Sequence, residues 1–294
     1  MKKPLRIHGF LREQARYLEW KGARLKNYPR AGEELVVEID GLSSLSAAER
    51  AAINAICTRS NMAIYRCRDK FVDRQLICEF ASRFGLTRLD HHLCANPEGV
   101  SELSVAASGV RSDYVPYSNR GLSWHTDGYY NDKPRQINAV LLHCARCADS
   151  GGENALLDPE IAYILLRDED PRFIEAFEHP DCMTIPPNEN AGGEIRPEIR
   201  GPVFSYDAGG RIHMRYSARK KNIRWRDDAL TRSAREYLSE LLEDKSSPVL
   251  RYRLRPGEGL ISNNVLHNRT AFTDKPGHNR LLYRARFFDR IGIT

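Results

Sequence analysis

The sequence predicts a mainly β fold with helical additions, built as an antiparallel sandwich or barrel. Three observations carry this. From about residue 100 onward, short apolar runs are divided by Gly, Pro, Asn and Asp; Asp207-Ala208-Gly209-Gly210 has the composition of a hairpin turn; and only two later stretches break into helical period. The 294 residues suit one large domain or two small ones, and with no repeat of 20 to 50 residues and no low-complexity linker a single domain is the simplest account.

In chain order, Ser46-Ala47-Ala48-Glu49 opens a helix: Ser46 caps, Glu49 completes a capping box, and Ala51, Ala52, Ala55 and Ile56 continue it. Residues 62–66 read as a strand. A helix over 72–83 places Leu76, Ile77, Phe80 and Ala81 at helical spacing, and Gly85 supplies its stop. The first hundred residues therefore read as a mixed α/β flank to a β core over 100–294. Core strands are expected at 103–107, 137–143, 155–157, 203–206, 212–216, 249–254, 259–262 and 281–288. The helical inserts fall at 159–166 and 227–243, the second with Leu230, Ala234, Tyr237, Leu238 and Leu241 on one face.

Hydrophobic residues make up 41% and charged residues 29%, which excludes a disordered or collagen-like chain. No apolar stretch approaches the roughly 18 residues of a membrane span, and Met1-Lys2-Lys3-Pro4-Leu5-Arg6 leads into charged sequence rather than a signal core, so a cytoplasmic protein is expected. Seven scattered cysteines form no disulfide framework. The net charge of +6 is spread along the chain, so neither nucleic acid nor membrane is expected as a partner, whereas a local cationic pocket for a small anion stays open.

The sharpest local signal is Trp124-His125-Thr126-Asp127-Gly128. A His and an Asp two apart project from the same side of an extended segment, so imidazole and carboxylate can converge on one metal ion. His267, after an apolar strand and before a turn, offers a third ligand. Two imidazoles and one carboxylate on one face leave three adjacent octahedral positions, as non-haem Fe(II) requires to hold a chelating co-substrate together with dioxygen. Alone, His-x-Asp also occurs by chance, and most histidines only make ordinary hydrogen bonds. Thirteen residues past His267, Arg280-Leu281-Leu282-Tyr283-Arg284-Ala285-Arg286 reads as a strand with Arg280, Arg284 and Arg286 on one face. Three arginines on an otherwise apolar strand need anionic partners, and a bidentate carboxylate meets that need.

These residues, together with Gly151-Gly152-Glu153-Asn154 and Phe80-Ala81-x-x-Phe84-Gly85, resemble the Fe(II)- and 2-oxoglutarate-dependent oxygenases of the taurine dioxygenase and clavaminate synthase-like superfamily, from about residue 60 to the C-terminus. The stretch from Pro202-Val203-Phe204 to Met214-Arg215-Tyr216, and the Asn263-Asn264 pair, are similar to the glutarate 2-hydroxylase branch. The resemblance implies a double-stranded β-helix, or jelly-roll, barrel with Fe(II) on His125, Asp127 and His267. Arg280 would hold the distal carboxylate of 2-oxoglutarate. Asn154 stands where the family often has Thr as a second contact, and its amide can also donate. Arg284 would meet an acidic group of the prime substrate, the alternative being an internal ion pair. The implied reaction uses dioxygen to decarboxylate 2-oxoglutarate to succinate and CO2 while hydroxylating, desaturating or cyclising a small polar, anionic substrate such as an amino acid, dicarboxylate, sulfonate or phosphonate. Asp127 argues against the halogenase variant. Related enzymes are commonly dimers or tetramers, so a homo-oligomer is expected.

Two other readings compete. A jelly-roll protein that binds metal or a small acid without turnover is opposed by the joint presence of the three ligands and Arg280. A zinc hydrolase would leave the arginine strand without a purpose. Three further features invite a bland reading. Cys144-Ala145-Arg146-Cys147 is a lone CxxC at a strand end, which suits structural thiols. Asp90-His91-His92 suits a solvated loop. The basic run from Arg219-Lys220-Lys221 to Arg226 would touch an anionic substrate, close over the site or lie in solvent as an ordinary solvated segment.

Overall fold

The computed structural model describes residues 13–69, 71–91, 95–106, 114–190 and 193–292. In chain order its elements are α1 (Gln14–Lys26), β1 (Val36–Glu38), α2 (Ala47–Ser60), β2 (Met62–Arg66), α3 (Arg74–Ser82), β3 (Val100–Leu103), β4 (Leu122–His125), β5 (Ala139–Arg146), β6 (Ser150–Gly151), β7 (Asn154–Leu157), α4 (Pro159–Glu169), α5 (Pro171–Glu178) and β8 (Met183–Ile185). They continue with β9 (Asn188–Asn190), β10 (Gly193–Arg196), β11 (Ile199–Gly201), β12 (Phe204–Tyr206), β13 (Ile212–Met214), β14 (Arg224–Trp225), α6 (Ala229–Glu243), β15 (Leu250–Tyr252), β16 (Glu258–Ser262), β17 (Leu266–Arg269), β18 (Phe272–Thr273) and β19 (Leu281–Phe287). The fold is mainly sheet with helices. By internal contacts the chain divides into two compact units, one of Met1–Tyr28, Trp124–Gln136 and Leu157–Val249, the other of Pro29–Ser123, Ile137–Leu156 and Leu250–Thr294.

The second unit holds a six-stranded sheet in the order β1-β2-β16-β5-β19-β3, all antiparallel except the parallel pair β1 and β2. Strands from the first hundred residues and from the last forty thus share one sheet. A four-stranded sheet runs β15-β7-β17-β4, and β6 pairs with β18. On the face of β19 away from its arginines, Ala285 and Phe287 join Phe80, Phe84, Ile77, Tyr65 and Ile261 in a buried core, with Tyr283 packed against it. Helix α2 begins at the expected capping box, Ser46 accepting from Glu49 N. Helix α3 starts two residues later than expected because Asp73 caps it, accepting from Leu76 N, and Gly85 follows at φ 77°.

The first unit is richer in helix. Asp158, Asp170 and Asp228 cap α4, α5 and α6, each accepting a backbone N–H of the first turn. The hairpin β12–β13 turns at Asp207, where Gly210 N donates to Asp207 O. Tyr163, Phe177 and Phe204 pack edge-on or tilted at ring separations of 5.3 and 6.0 Å. Two helices escape the sequence reading. Helix α1 buries only Tyr17 and lacks a side-chain cap, and α5 is a short second helix begun by Asp170 immediately after α4.

Some boundaries move. The strand expected at 103–107 is β3, ending at Leu103, and residue 107 lies outside the described residues. Asp90 does not lie in solvent: it is buried and ion-paired with Arg286, and its N–H donates to Arg286 O. A guanidinium buried in the sheet requires such a partner. His92 lies outside the described residues.

His143, on β5, is 2% exposed, and its Nδ1 lies 3.1 Å from Tyr65 Oη. Burial pulls its imidazole down to about 4, against a weaker opposing pull from Asp69. The unfolded chain therefore takes up this proton near pH 6.5 and the folded chain only near pH 4. The stability it contributes is complete above pH 6.5 and is lost as the pH falls toward 4, about 3 kcal/mol in all. In urea melts across this range, His143→Gln should flatten the decline by roughly that amount; an unchanged pH slope would contradict the assignment.

Candidate metal centre

β4 ends at His125, which forms a β-bridge with Ser217, and the pairing continues around it: Thr126 N donates to Tyr216 O (3.0 Å), Tyr216 N to Thr126 Oγ1 (3.1 Å) and Ala218 N to Trp124 O (2.8 Å). The extended segment stops there. Asp127 begins a turn rather than continuing the strand, because Gly128 takes φ 68° and Asn131 N donates to Gly128 O. Two residues on, Tyr129 meets the His125 ring edge-on at 6.5 Å and its carbonyl accepts from Arg215 Nε at 2.8 Å.

Arg215 is buried, and it donates as well to the carbonyls of Met183, Gly201 and Ile199 at 2.9, 3.2 and 3.1 Å. Burial lowers its pKa to about 10, so it stays charged at neutral pH. It ties β8 and β11 to the turn behind Asp127, a role invisible in sequence because its partners are backbone oxygens.

His267 lies within β17, not after a strand: residues 266–269 pair in the four-stranded sheet next to β4 in strand order. Its Nδ1 is 2.9 Å from Val265 O. Only a protonated Nδ1 can donate to a carbonyl, which leaves the Nε2 lone pair for a metal. The approach to β17 is set by Asn263 and Asn264. Asn263 N donates to Asn61 O and Asn263 Oδ1 accepts from Ile291 N, while Asn264, at φ 52°, donates to Ile137 O at 2.6 Å.

His125, Asp127 and His267 each offer a ligand atom, and these atoms all lie within 4.8 Å of one another. His125 and Asp127 are 7% and 6% exposed. Two imidazoles and a carboxylate this close can hold one divalent ion, and the set suits iron or zinc rather than magnesium or calcium, which prefer all-oxygen shells.

Arg280, immediately before β19, lines a small cavity with Asn154, Gly152, Leu282, Cys144 and Cys147. It is 4% exposed and stacks over Phe272 at 4.9 Å. Among the described residues no carboxylate lies within ion-pair distance of it. Burial lowers its pKa, with Cys144 and Asp274 acting in the opposite sense. Gly151 and Gly152, at φ 68° and 74°, carry the chain past Ala271 O, which a Cβ on Gly151 would strike, and beside Arg280 Nε. Cys144 and Cys147 are free thiols, and burial pushes Cys144 up to about 12, so it is inert at neutral pH.

The three arginines of the β19 segment thus separate. Arg286 is held by Asp90, Arg284 is 7% exposed within the strand, and Arg280 faces the cavity. Arg269, not foreseen, is buried near Arg280, donates to the carbonyls of Ser118 and Arg120, and is lowered to about 10 by burial and then by Arg280.

The family described as taurine catabolism dioxygenase TauD, TfdA family matches residues 24–286. A uridine-5'-phosphate dioxygenase of Amycolatopsis sp is 32% identical over 175 residues, which cover 56% of this chain and 60% of that protein. Among solved structures, an asparagine oxygenase in complex with Fe(II), 2S,3S-3-hydroxyasparagine and succinate has a TM-score of 0.60 at 16% identity, covering 84% of this chain and 81% of its own. PvcB of Pseudomonas aeruginosa has 0.57 at 18%, covering 90% and 88%, and the non-heme iron oxygenase OrfP in complex with Fe and L-canavanine 0.58 at 17%, covering 84% and 81%. At these identities the structural likeness is one of fold.

Replacing Arg215 with Met leaves buried carbonyls without donors and should cost about 3 kcal/mol of unfolding free energy in urea. A loss below about 0.5 kcal/mol would show that those carbonyls find other partners.

Proposed function

The chain belongs to the TauD/TfdA family of taurine catabolism dioxygenases, and from that premise we propose that it is an Fe(II)- and 2-oxoglutarate-dependent oxygenase of a small, polar, anionic substrate. The observation that carries the proposal is the His125, Asp127 and His267 cluster, whose ligand atoms lie within 4.8 Å of one another. The six-stranded and four-stranded sheets read as the halves of a double-stranded β-helix, since β4, β5, β7, β15, β16, β17 and β19 fall alternately into one sheet and the other apart from the passage from β7 to β15.

In this reading His125, Asp127 and His267 hold Fe(II), with His267 aligned by its hydrogen bond to Val265 O. When bound, the iron supplies the oxidative chemistry, in which dioxygen is consumed, 2-oxoglutarate is decarboxylated to succinate and CO2, and a substrate C–H bond is oxidised. The protein's own task is binding and orientation. Arg280, buried and facing the cavity it shares with Asn154, takes the distal carboxylate of 2-oxoglutarate, with the Asn154 amide as second donor. A buried guanidinium without a carboxylate partner in contact fits an anionic co-substrate better than it fits a structural role. Arg284 serves the acidic group of the prime substrate. The named relative makes uridine 5'-phosphate the first compound to try, ahead of amino acids, dicarboxylates, sulfonates and phosphonates.

Succinate release from 2-oxoglutarate with Fe(II) and dioxygen tests the reading, and stimulation by one compound of such a panel identifies the substrate class. Absence of succinate with every compound, and without any, would reject it. Asp127→Ala and His267→Ala should each abolish turnover and weaken anaerobic metal binding at least 100-fold while the far-ultraviolet circular dichroism is retained. Metal binding at wild-type strength in either variant would remove these residues from the centre. Arg280→Met should raise the KM for 2-oxoglutarate by the equivalent of about 2 to 5 kcal/mol; an unchanged KM would transfer the role to another cation.

A further inference from the structure

The basic residues of the run that begins at Arg219 are exposed, as one of its readings expects, and some of them also border a space shared with α6. With α6 the run forms a cavity of about 340 Å³ in which Arg219, Lys220 and Arg226 of the run and Arg232 and Arg235 of the helix face one space. That volume lies at the lower end of the range for small-ligand pockets, about 300 to 1,000 Å³. Asp227 is the single carboxylate in the lining, and it is paired with Arg232 at 3.0 Å. Arg226 leans toward Asp228 at 3.5 Å. Arg219, Lys220 and Arg235 have no carboxylate in ion-pair contact among the described residues. Five cations around one carboxylate repel one another, an arrangement that an anion in the cavity would relieve.

The geometry is prepared for an anion. Arg235 lies over the Trp225 ring at 4.5 Å, and Trp225 is in turn packed against Tyr216 and Phe177, which fixes the plane of the guanidinium fork. Arg219 is placed by Nη1 donating to Tyr129 Oη at 3.1 Å. Tyr129 is the residue whose ring meets His125, and Ser217, two residues before Arg219, is the bridge partner of His125. One wall of the cavity, Arg219, thus lies two residues from the segment that pairs with the backbone of a candidate metal ligand.

We propose that this cavity is the subsite for the phosphate group of a phosphomonoester substrate, which leaves Arg284 to meet another acceptor of the same substrate. A single guanidinium satisfies a carboxylate, as Asp90 shows with Arg286. Three cations free of carboxylate contact, two of them planar forks, match a group that bears a charge of about −1.5 to −2 and three acceptor oxygens. The assignment to substrate rests on the oxygenase reading, whereas binding of the phosphate does not.

The test is calorimetric titration of the full chain with inorganic phosphate, uridine 5'-phosphate and uridine, with and without Fe(II) and 2-oxoglutarate under anaerobic conditions. Phosphate should bind one to one, and uridine 5'-phosphate at least tenfold more tightly than uridine. Arg235→Gln should weaken phosphate binding tenfold or more. Arg219→Gln with Lys220→Gln, both exposed positions, should do the same should loss of the Trp225 stack unfold the first variant. Absence of phosphate binding, or phosphate binding that survives in folded variants, overturns the subsite. Phosphate binding that is lost in the variants establishes it, and if the wild-type protein then releases no succinate under any condition, only the oxygenase reading falls.

Discussion

A guanidinium taken out of water must find acceptors, and much of this protein is arranged around that demand. β19 lies between β5 and β3 in its sheet, and Leu282 and residues 284–287 are buried on whichever face they point. One face carries Tyr283, Ala285 and Phe287 into the core; the other carries Arg284 and Arg286. Desolvating such a charge costs several kcal/mol unless a partner restores it. Three of the buried arginines meet the cost in different ways. Arg286 has Asp90, Arg215 has backbone carbonyls from three segments, and Arg269 has the carbonyls of Ser118 and Arg120 with the Phe272 ring above it.

Against that pattern Arg280 stands apart, since its guanidinium faces a cavity and an aromatic ring rather than any carboxylate or carbonyl acceptor among the described residues. The same sheet that encloses structural arginines thus presents one for a ligand. Glycines allow this: Gly151 and Gly152 let the chain pass closely beside Ala271 and Arg280, where larger residues would fill the space or strain the backbone. Cys144, whose thiol burial keeps protonated, adds to the wall without adding charge.

Rigidity at the metal ligands comes from backbone pairing more than from side-chain ion pairs. His125 is held in a bridge with Ser217, Thr126 contributes both its N–H and its hydroxyl, and His267 is braced by Val265 O within a short strand. Such bracing limits the rotamers that the ligands would otherwise lose on binding an ion. The asparagines before β17 act in the same sense, bringing three chain segments, around Asn61, Ile137 and Ile291, to one place.

By itself the sequence determined what depends on local pattern and residue chemistry. The capping box at Ser46 and Glu49, the strand at 62–66, the Asp207 hairpin and the alternation along 281–287 all follow from short-range rules, and the types and order of His125, Asp127, His267 and Arg280 already name the chemistry they are suited to. Only the tertiary structure decided what depends on partners distant in the chain. It separated Arg286, held by Asp90 across 196 residues, from Arg280 on the same segment, and it gave Arg215 its carbonyls. It also turned Asp127 out of the strand and folded the run after Arg219 against α6 into a cationic cavity. The physical reason is common to all of these: a charge's role is set by which acceptors surround it after burial, and those acceptors are backbone oxygens and carboxylates whose positions no local periodicity encodes.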